Sequence, residues 1–132
     1  MLLKTSFMAN GNIRPSRFVK QDTTANFKVL EADANERTIG VSNEATREAP
    51  ISGSSTYAAI AGQELGVYGP GDECYLEIGS GGCVAGDLLT PDADGKGVIN
   101  TTDKRWYGAR ALETASENEF AKVLIEHGYN AV

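Results

Sequence analysis

The sequence predicts a mainly β protein, a compact β-barrel or β-sandwich of short antiparallel strands with an irregular N-terminal arm and little helix. Three observations point there. The chain has 15 Gly and 4 Pro beside many Thr, Val, Ile and Tyr; Gly weakens helix interiors, whereas β-branched and aromatic residues fit a pleated surface. Between residues 62 and 100 turn-forming clusters recur about once per ten residues, the spacing of a sandwich or barrel. The run Gly-Asp-Leu-Leu-Thr-Pro-Asp-Ala-Asp-Gly-Lys-Gly-Val at 86–98 reads as a hairpin. There Pro91 presets φ, Asp side chains bond nearby backbone N–H groups, and Gly95 accepts a positive φ. A chain of 132 residues fits one domain with a real core.

Residues 1–12 are expected to form the arm, because Asn10-Gly11-Asn12 is a turn signal and nothing before it has a clean period. Residues 13–132 then make one β-domain. Pro15 demotes any strand at 13–20 to an edge. Residues 27–32 alternate as a strand, 33–36 turn, and 37–42 return through Ile39 and Val41. A polar loop spans 43–62; a helical turn fits 44–48, and the apolar run at 56–61 is ambiguous between strand and helix. Strands follow at 63–68, 73–78 and 83–89, separated by turns at 69–72 and 79–82. After the central turn come a short strand at 97–100, a loop at 101–104, and closing strands at 106–113 and 120–126 around the polar 116–119. Residues 111–126 also admit a helix with Leu112, Ala115, Phe120, Val123 and Leu124 inward. Strands are preferred because Lys122-Val123-Leu124-Ile125 is β-prone. A weak internal echo links 18–45 with 83–115: each offers a strand, an Ala/Asp-rich turn, a return and a further strand, as two related hairpin units would.

The formal net charge of −6 argues against a nucleic-acid partner. Five cations against Asp22 give residues 1–30 a charge of +4, leaving −10 for the rest, a polarity that can steer a charged partner. Cys74 and Cys83 are the only cysteines. If 74–78 and 83–87 paired across the 79–82 turn, the sulfurs would lie on the order of 13 Å apart, too far to bond. Two free thiols in a reducing compartment are therefore expected. No signal peptide or apolar run long enough to span a bilayer is seen, so no membrane partner and synthesis on the cytoplasmic side are expected.

Catalytic motifs are missing: there is no Gly-x-Ser-x-Gly elbow, P-loop, His-Glu-x-x-His or Cys-x-x-Cys. The expectation is a protein that is not an enzyme and needs no cofactor. Counting Asp92 as the first position of a calcium loop places Asp94 at three, Gly97 at six, Asn100 at nine and Asp103 at twelve. Lys96 then stands where an oxygen ligand is needed, so a structural turn is preferred and no metal is expected. Gly79-Ser80-Gly81-Gly82 lacks the Lys-Ser/Thr of a phosphate loop. His127, the single histidine, has no partner motif and reads as a surface residue. Asp72, Glu77 and Asp87 read as solvated turn charges. Trp106 and Tyr107 read as core and rim aromatics; facing a ligand together with Tyr57 and Tyr68, they would instead suit a carbohydrate-binding module.

Residues 86–96, then Tyr107-Gly-Ala-Arg-Ala-Leu-Glu-Thr-Ala and Phe120-Ala-Lys-Val-Leu-Ile, resemble the capsid decoration, or cement, proteins of tailed bacteriophages. Arg17-Phe18-Val19-Lys20 and Ile39-Gly40-Val41-Ser42 resemble that family's first half, whereas residues 1–12 and 43–62 match nothing in it. The resemblance implies a homotrimeric virion protein, made in the host cytoplasm, that sits on the capsid exterior and stabilises the head by binding the major capsid protein. A phage fibre or baseplate adaptor is the alternative. From position alone, Phe7 and Phe18 are the expected apolar anchors on the capsid, and Arg14, Arg17 and Lys20 the polar contacts.

Overall fold

In the computed structural model, residues 5–44, 57–100 and 105–130 are described. Ten strands run in order: β1 (Thr5–Ala9), β2 (Phe18–Gln21), β3 (Lys28–Glu31), β4 (Gly40–Ser42), β5 (Glu64–Tyr68), β6 (Glu73–Glu77), β7 (Leu88–Pro91), β8 (Gly97–Ile99), β9 (Arg105–Ala111) and β10 (Phe120–Asn130). The first five close a barrel in the order β1-β3-β2-β4-β5, and the last five form a sheet in the order β6-β10-β9-β7-β8. The all-β class is as the composition implies.

The central hairpin is as the turn chemistry dictates. Leu89 pairs with Ile99, Thr90 with Val98 and Pro91 with Gly97, and Gly95 takes φ 77°. Asp92 Oδ1 accepts from Asp94 N at 2.8 Å and Lys96 N at 2.9 Å, which is why Asp stands there. Residues 111–126 contain no helix: β9 and β10 pair antiparallel through Val123–Ala111 and Ile125–Ala109.

Several expectations need correction. Thr5–Ala9 are not an irregular arm. They form β1, pairing antiparallel with β5 and parallel with β3, so the sheet is not purely antiparallel. Their backbone groups gain ladder partners inside a closed barrel, which outweighs the poor periodicity of their side chains. Pro15 precedes β2 and does not make it an edge, since β2 lies between β3 and β4. The segments 27–32 and 37–42 do not pair with each other; each pairs with β2. Nor do 74–78 and 83–87 form a hairpin. Strand β6 pairs with β10 and Cys83 bridges to Ala115, while both thiols are free and buried. Residues 45–56 of the 43–62 loop lie outside the described residues, yet Ala58 and Ala59 near its end are buried and Ala59 bridges to Ile13.

The echo proves deeper than two hairpins, because the two five-strand units repeat one plan. In the barrel β1 runs parallel to β3; in the second unit Ile78 bridges in parallel to Gly97 at the start of β8, bringing the outer strands of that sheet together in the same cyclic order. Local bonds repeat as well. Ala9 N donates to Gln63 O at 2.8 Å and Ile78 N to Glu119 O at 2.8 Å; Asn10 N donates to Val29 O at 3.0 Å and Gly79 N to Gly97 O at 2.8 Å. Ile60 N bonds the Gln63 side chain at 3.1 Å, and Ser116 N the Glu119 side chain at 2.8 Å. Ile13 bridges to Ala59 as Cys83 does to Ala115. Backbone strain matches too, with left-handed Ser16 (φ 55°) answering Gly86 (φ 96°) and Gly62 (φ 88°) answering Asn118 (φ 68°).

Val19, Val29, Leu65 and Val67 fill the barrel with Ala9 and Ile13. A second cluster joins Leu76, Leu89, Val123 and Ile125 to Phe18, Ala32 and Val41, which come from the barrel unit. Phe18 thus seals the joint between units. Gly108 on β9 makes room for it, since a Cβ there would lie 2.8 Å from the Phe18 ring.

Candidate functional site

Equivalent turns of the two units have different fates. In the second unit, residues 92–96 between β7 and β8 lie against the barrel unit. Arg17 Nη1 donates to Asp94 O at 2.9 Å, Phe18 N to Gly95 O at 2.8 Å, and Arg14 Nη2 stands 3.6 Å from Asp94 Oδ1. In the barrel, residues 22–27 between β2 and β3 start with the same Asx geometry, Asp22 Oδ1 accepting from Thr24 N at 2.8 Å. These bonds from the Thr24 backbone and side chain, with one from Asn10, hold the Asp22 carboxyl below its ordinary range. This turn faces solvent and ends on Phe27, which is 80% exposed and left-handed at φ 57°. An aromatic residue is a genuine outlier in that region. Met8 N donates to Phe27 O at 3.0 Å and pins the conformation against β1. Phe7, Met8, Phe27 and Glu64 line a shallow depression of ≈ 230 Å³ beside it.

A second feature lies where β2 and the approach to β4 part. Phe18 pairs with Val41 and Val19 with Gly40, and Ile39 N donates to Val19 O. Beyond them Lys20, Gln21 and Thr23 stand with Glu36, Arg37, Thr38, Ile39 and His127 around an open groove of ≈ 480 Å³. The Arg37 guanidinium sits 4.2 Å above the Trp106 ring, and Trp106 meets Tyr129 at 4.9 Å with planes tilted by 59°. Stacking orders an arginine while leaving its N–H fork free, and among the described residues no carboxylate takes up that fork. Burial, and then the nearby Arg37 charge, lower the His127 pKa.

The five expected contact residues do not gather on one face. Phe18 is fully buried and Arg17 nearly so, so neither offers a contact surface: Phe18 completes the inter-unit core, and Arg17 bonds Glu77 and Asp94. Arg14 is held by the Glu31 carboxylate through Nε at 3.0 Å and Nη2 at 2.8 Å. Lys20 pairs with Glu36 at 2.8 Å on the groove wall. Phe7 is half-buried in the depression beside Phe27.

Asp72, Glu77 and Asp87 stay apart in function. Asp72 caps Gly69 N, Asp87 caps Val84 N, and Glu77 pairs with Arg17 and Lys96. Two of the four aromatics of the glycan alternative are taken up by the fold. Tyr68 packs on the core and Tyr107 covers Gly128, leaving Trp106 with Arg37 and Tyr129. Phe27, Arg37 and Tyr129 were not singled out in the sequence. Only Phe27 left a signal there, an aromatic closing a polar Asp-Thr-Thr-Ala-Asn run.

Neither a protein-family model nor a curated protein matches the chain. Among solved structures it is similar to a phage structural protein in fold. That protein is the N base of head fiber gp8.5 of bacteriophage phi29, with TM-score 0.68, 17% sequence identity, and coverage of 96% of this chain and 95% of that one. At that identity the likeness speaks for the fold.

Proposed function

We propose that this chain is a structural, non-catalytic protein of a phage head, attached to the capsid exterior through the major capsid protein. The observation that carries the reading is the likeness to a head-fibre base over nearly the full length of both chains. The attachment surface is assigned to Arg37, Trp106 and Tyr129 with the groove beside them, since Trp, Tyr and Arg are the residues that dominate protein–protein hot spots. A second reading, the base of a head fibre, is favoured by the same likeness; it differs in what the outward face carries and shares the attachment. In both readings the working form is a homo-oligomer, taken as a trimer.

The test is cosedimentation of the full chain with heads stripped of their accessory proteins. The wild type should pellet with heads, while Arg37→Ala and Trp106→Ala should remain in the supernatant at concentrations where the wild type is bound. A wild-type chain that never pellets overturns the reading.

A further inference from the structure

The groove beside Arg37 opens where the barrel's hydrogen-bond ladder stops short. Phe18 O accepts from Ala32 N and Asp22 N donates to Lys28 O, so the even residues of β2 turn their backbone groups toward β3. These groups alternate in direction along a strand, and Val19 and Gln21 therefore turn theirs toward β4. Val29, which stands opposite Gln21 on β3, likewise turns away, its carbonyl accepting from Asn10 N at 3.0 Å. Val19 O receives Ile39 N at 3.0 Å, and the pairing of β2 with β4 ends there, at Val19 opposite Gly40. The Gln21 N–H and C=O come next on that side and have no backbone partner among the described residues. Gln21 lines the groove together with Glu36, Arg37, Thr38 and Ile39. Open ladder beside a groove is the setting in which an extended peptide adds as a further strand.

The charge of the groove selects what such a strand carries. Glu36 is taken up by Lys20 at 2.8 Å. Glu126, beside His127, is taken up by Arg110 Nε at 2.8 Å. The bulge in β10 between Ile125 and Gly128 is the kind of irregularity that re-aims a side chain, and His127 within it lines the groove. The Arg37 charge is left over, its guanidinium ordered on the Trp106 ring, in a chain whose residues 31–132 sum to −10. A guanidinium held by its flat face keeps its N–H groups for a carboxylate, which it meets with two parallel bonds. We propose that the attachment partner presents an extended segment bearing an Asp or Glu side chain, which pairs with the Gln21 backbone as a short added strand and sets its carboxylate in the Arg37 fork. This inference rests on the attachment surface proposed above and names what that surface takes.

Trp106 is the chain's only tryptophan, so its emission reports directly on the guanidinium stacked against it. The test is a fluorescence titration of the full chain with the capped pentapeptide Thr-Val-Glu-Val-Thr. A saturable change in emission is expected. Binding should weaken by about tenfold or more when glutamine replaces the peptide's glutamate, and again when the peptide's backbone N–H groups are methylated. Arg37→Lys keeps the charge but loses the fork, and should bind the glutamate peptide about tenfold more weakly at an unchanged melting temperature. No saturable change, equal binding of the glutamine or methylated peptide, equal binding of inorganic phosphate, or an Arg37→Lys chain that binds as the wild type does would each overturn the proposal. Head cosedimentation uses no peptide. A chain that pellets with heads and ignores the peptide leaves the head reading intact while sinking this one, and a chain that binds the peptide but never pellets does the reverse.

Discussion

Arg17 Nη2 lies 3.1 Å from Glu77 Oε1, with their side chains 8% and 17% exposed. The pair bolts the lead-in to β2 onto β6, and Lys96 Nζ joins at 3.3 Å from Glu77 Oε2. Breaking a buried pair leaves a charge uncompensated and costs far more than breaking an exposed one. Glu77→Ala should lose about 3 kcal/mol. Lys122→Ala, whose partner Glu73 is 3.8 Å away at an exposed site, should stay within about 0.5 kcal/mol of wild type. Urea melts of both variants check the contrast, and equal losses would mean that the inter-unit bolt is not special.

Phe27 should be destabilising where it stands. Asn tolerates the left-handed region that an aromatic side chain resists, and Phe27 is largely solvated. Phe27→Asn should gain about 1 kcal/mol, measurable as a higher denaturation midpoint at unchanged slope. A loss of stability would show that the ring makes contacts that repay its strain.

Both cysteines should resist a thiol reagent until the chain unfolds. Burial, reinforced by the charges of Glu44 and Asp72, pushes the Cys74 thiol up to about 12. Burial likewise raises Cys83. The raised native pKa means that the unfolded chain releases these protons first as pH climbs past the ordinary thiol range. The protonated thiols' contribution to stability is present below that range and declines above it. Ellman's reagent at neutral pH should react with neither thiol natively and with both in denaturant.

Proton uptake by His127 works in the opposite pH range. Its native pKa is lowered, by burial first and by Arg37 second, so on acidification the unfolded chain binds this proton before the folded one. The His127 contribution to stability is therefore lost as pH falls below the ordinary histidine range. Arg37→Ala should raise the native His127 pKa part of the way back, because burial remains. An NMR titration of the imidazole checks this; no movement would place the guanidinium too far away to act.

Gly40 should admit no side chain. A Cβ there would run into the backbone carbonyl of Tyr68 on the neighbouring strand, and a backbone atom has nowhere to move. Gly40→Ala should cost about 3 kcal/mol or more. A soluble variant with a native melting temperature would contradict the packing of β4 on β5.

The elements written in local chemistry were legible before the fold was known. Asp92, Gly95 and Pro91 declare their hairpin, and the β-prone run Lys122-Val123-Leu124-Ile125 favours a strand at β10 over the helix that 111–126 also admits. What was not legible depends on partners distant in the chain. Thr5–Ala9 have no clean period because barrel closure supplies their order. Phe18 looks like a surface anchor beside Arg17 and Lys20 until the second unit covers it. Arg37 finds Trp106 and Tyr129 only through pairing of β9 with β10 and packing of the two units, and no local spacing encodes that meeting. The internal echo was audible in the hairpins, but most of the repeat lies in backbone bonds that different side chains can satisfy, as Gly86 and Ser16 do at one position.

The duplicated plan has a consequence for contact strength. Tethered units meet at an effective concentration far above that of free molecules, so the seating of the 92–96 turn on the barrel unit can rely on polar groups such as Arg14 and Asp94, whose association in dilute solution would be feeble.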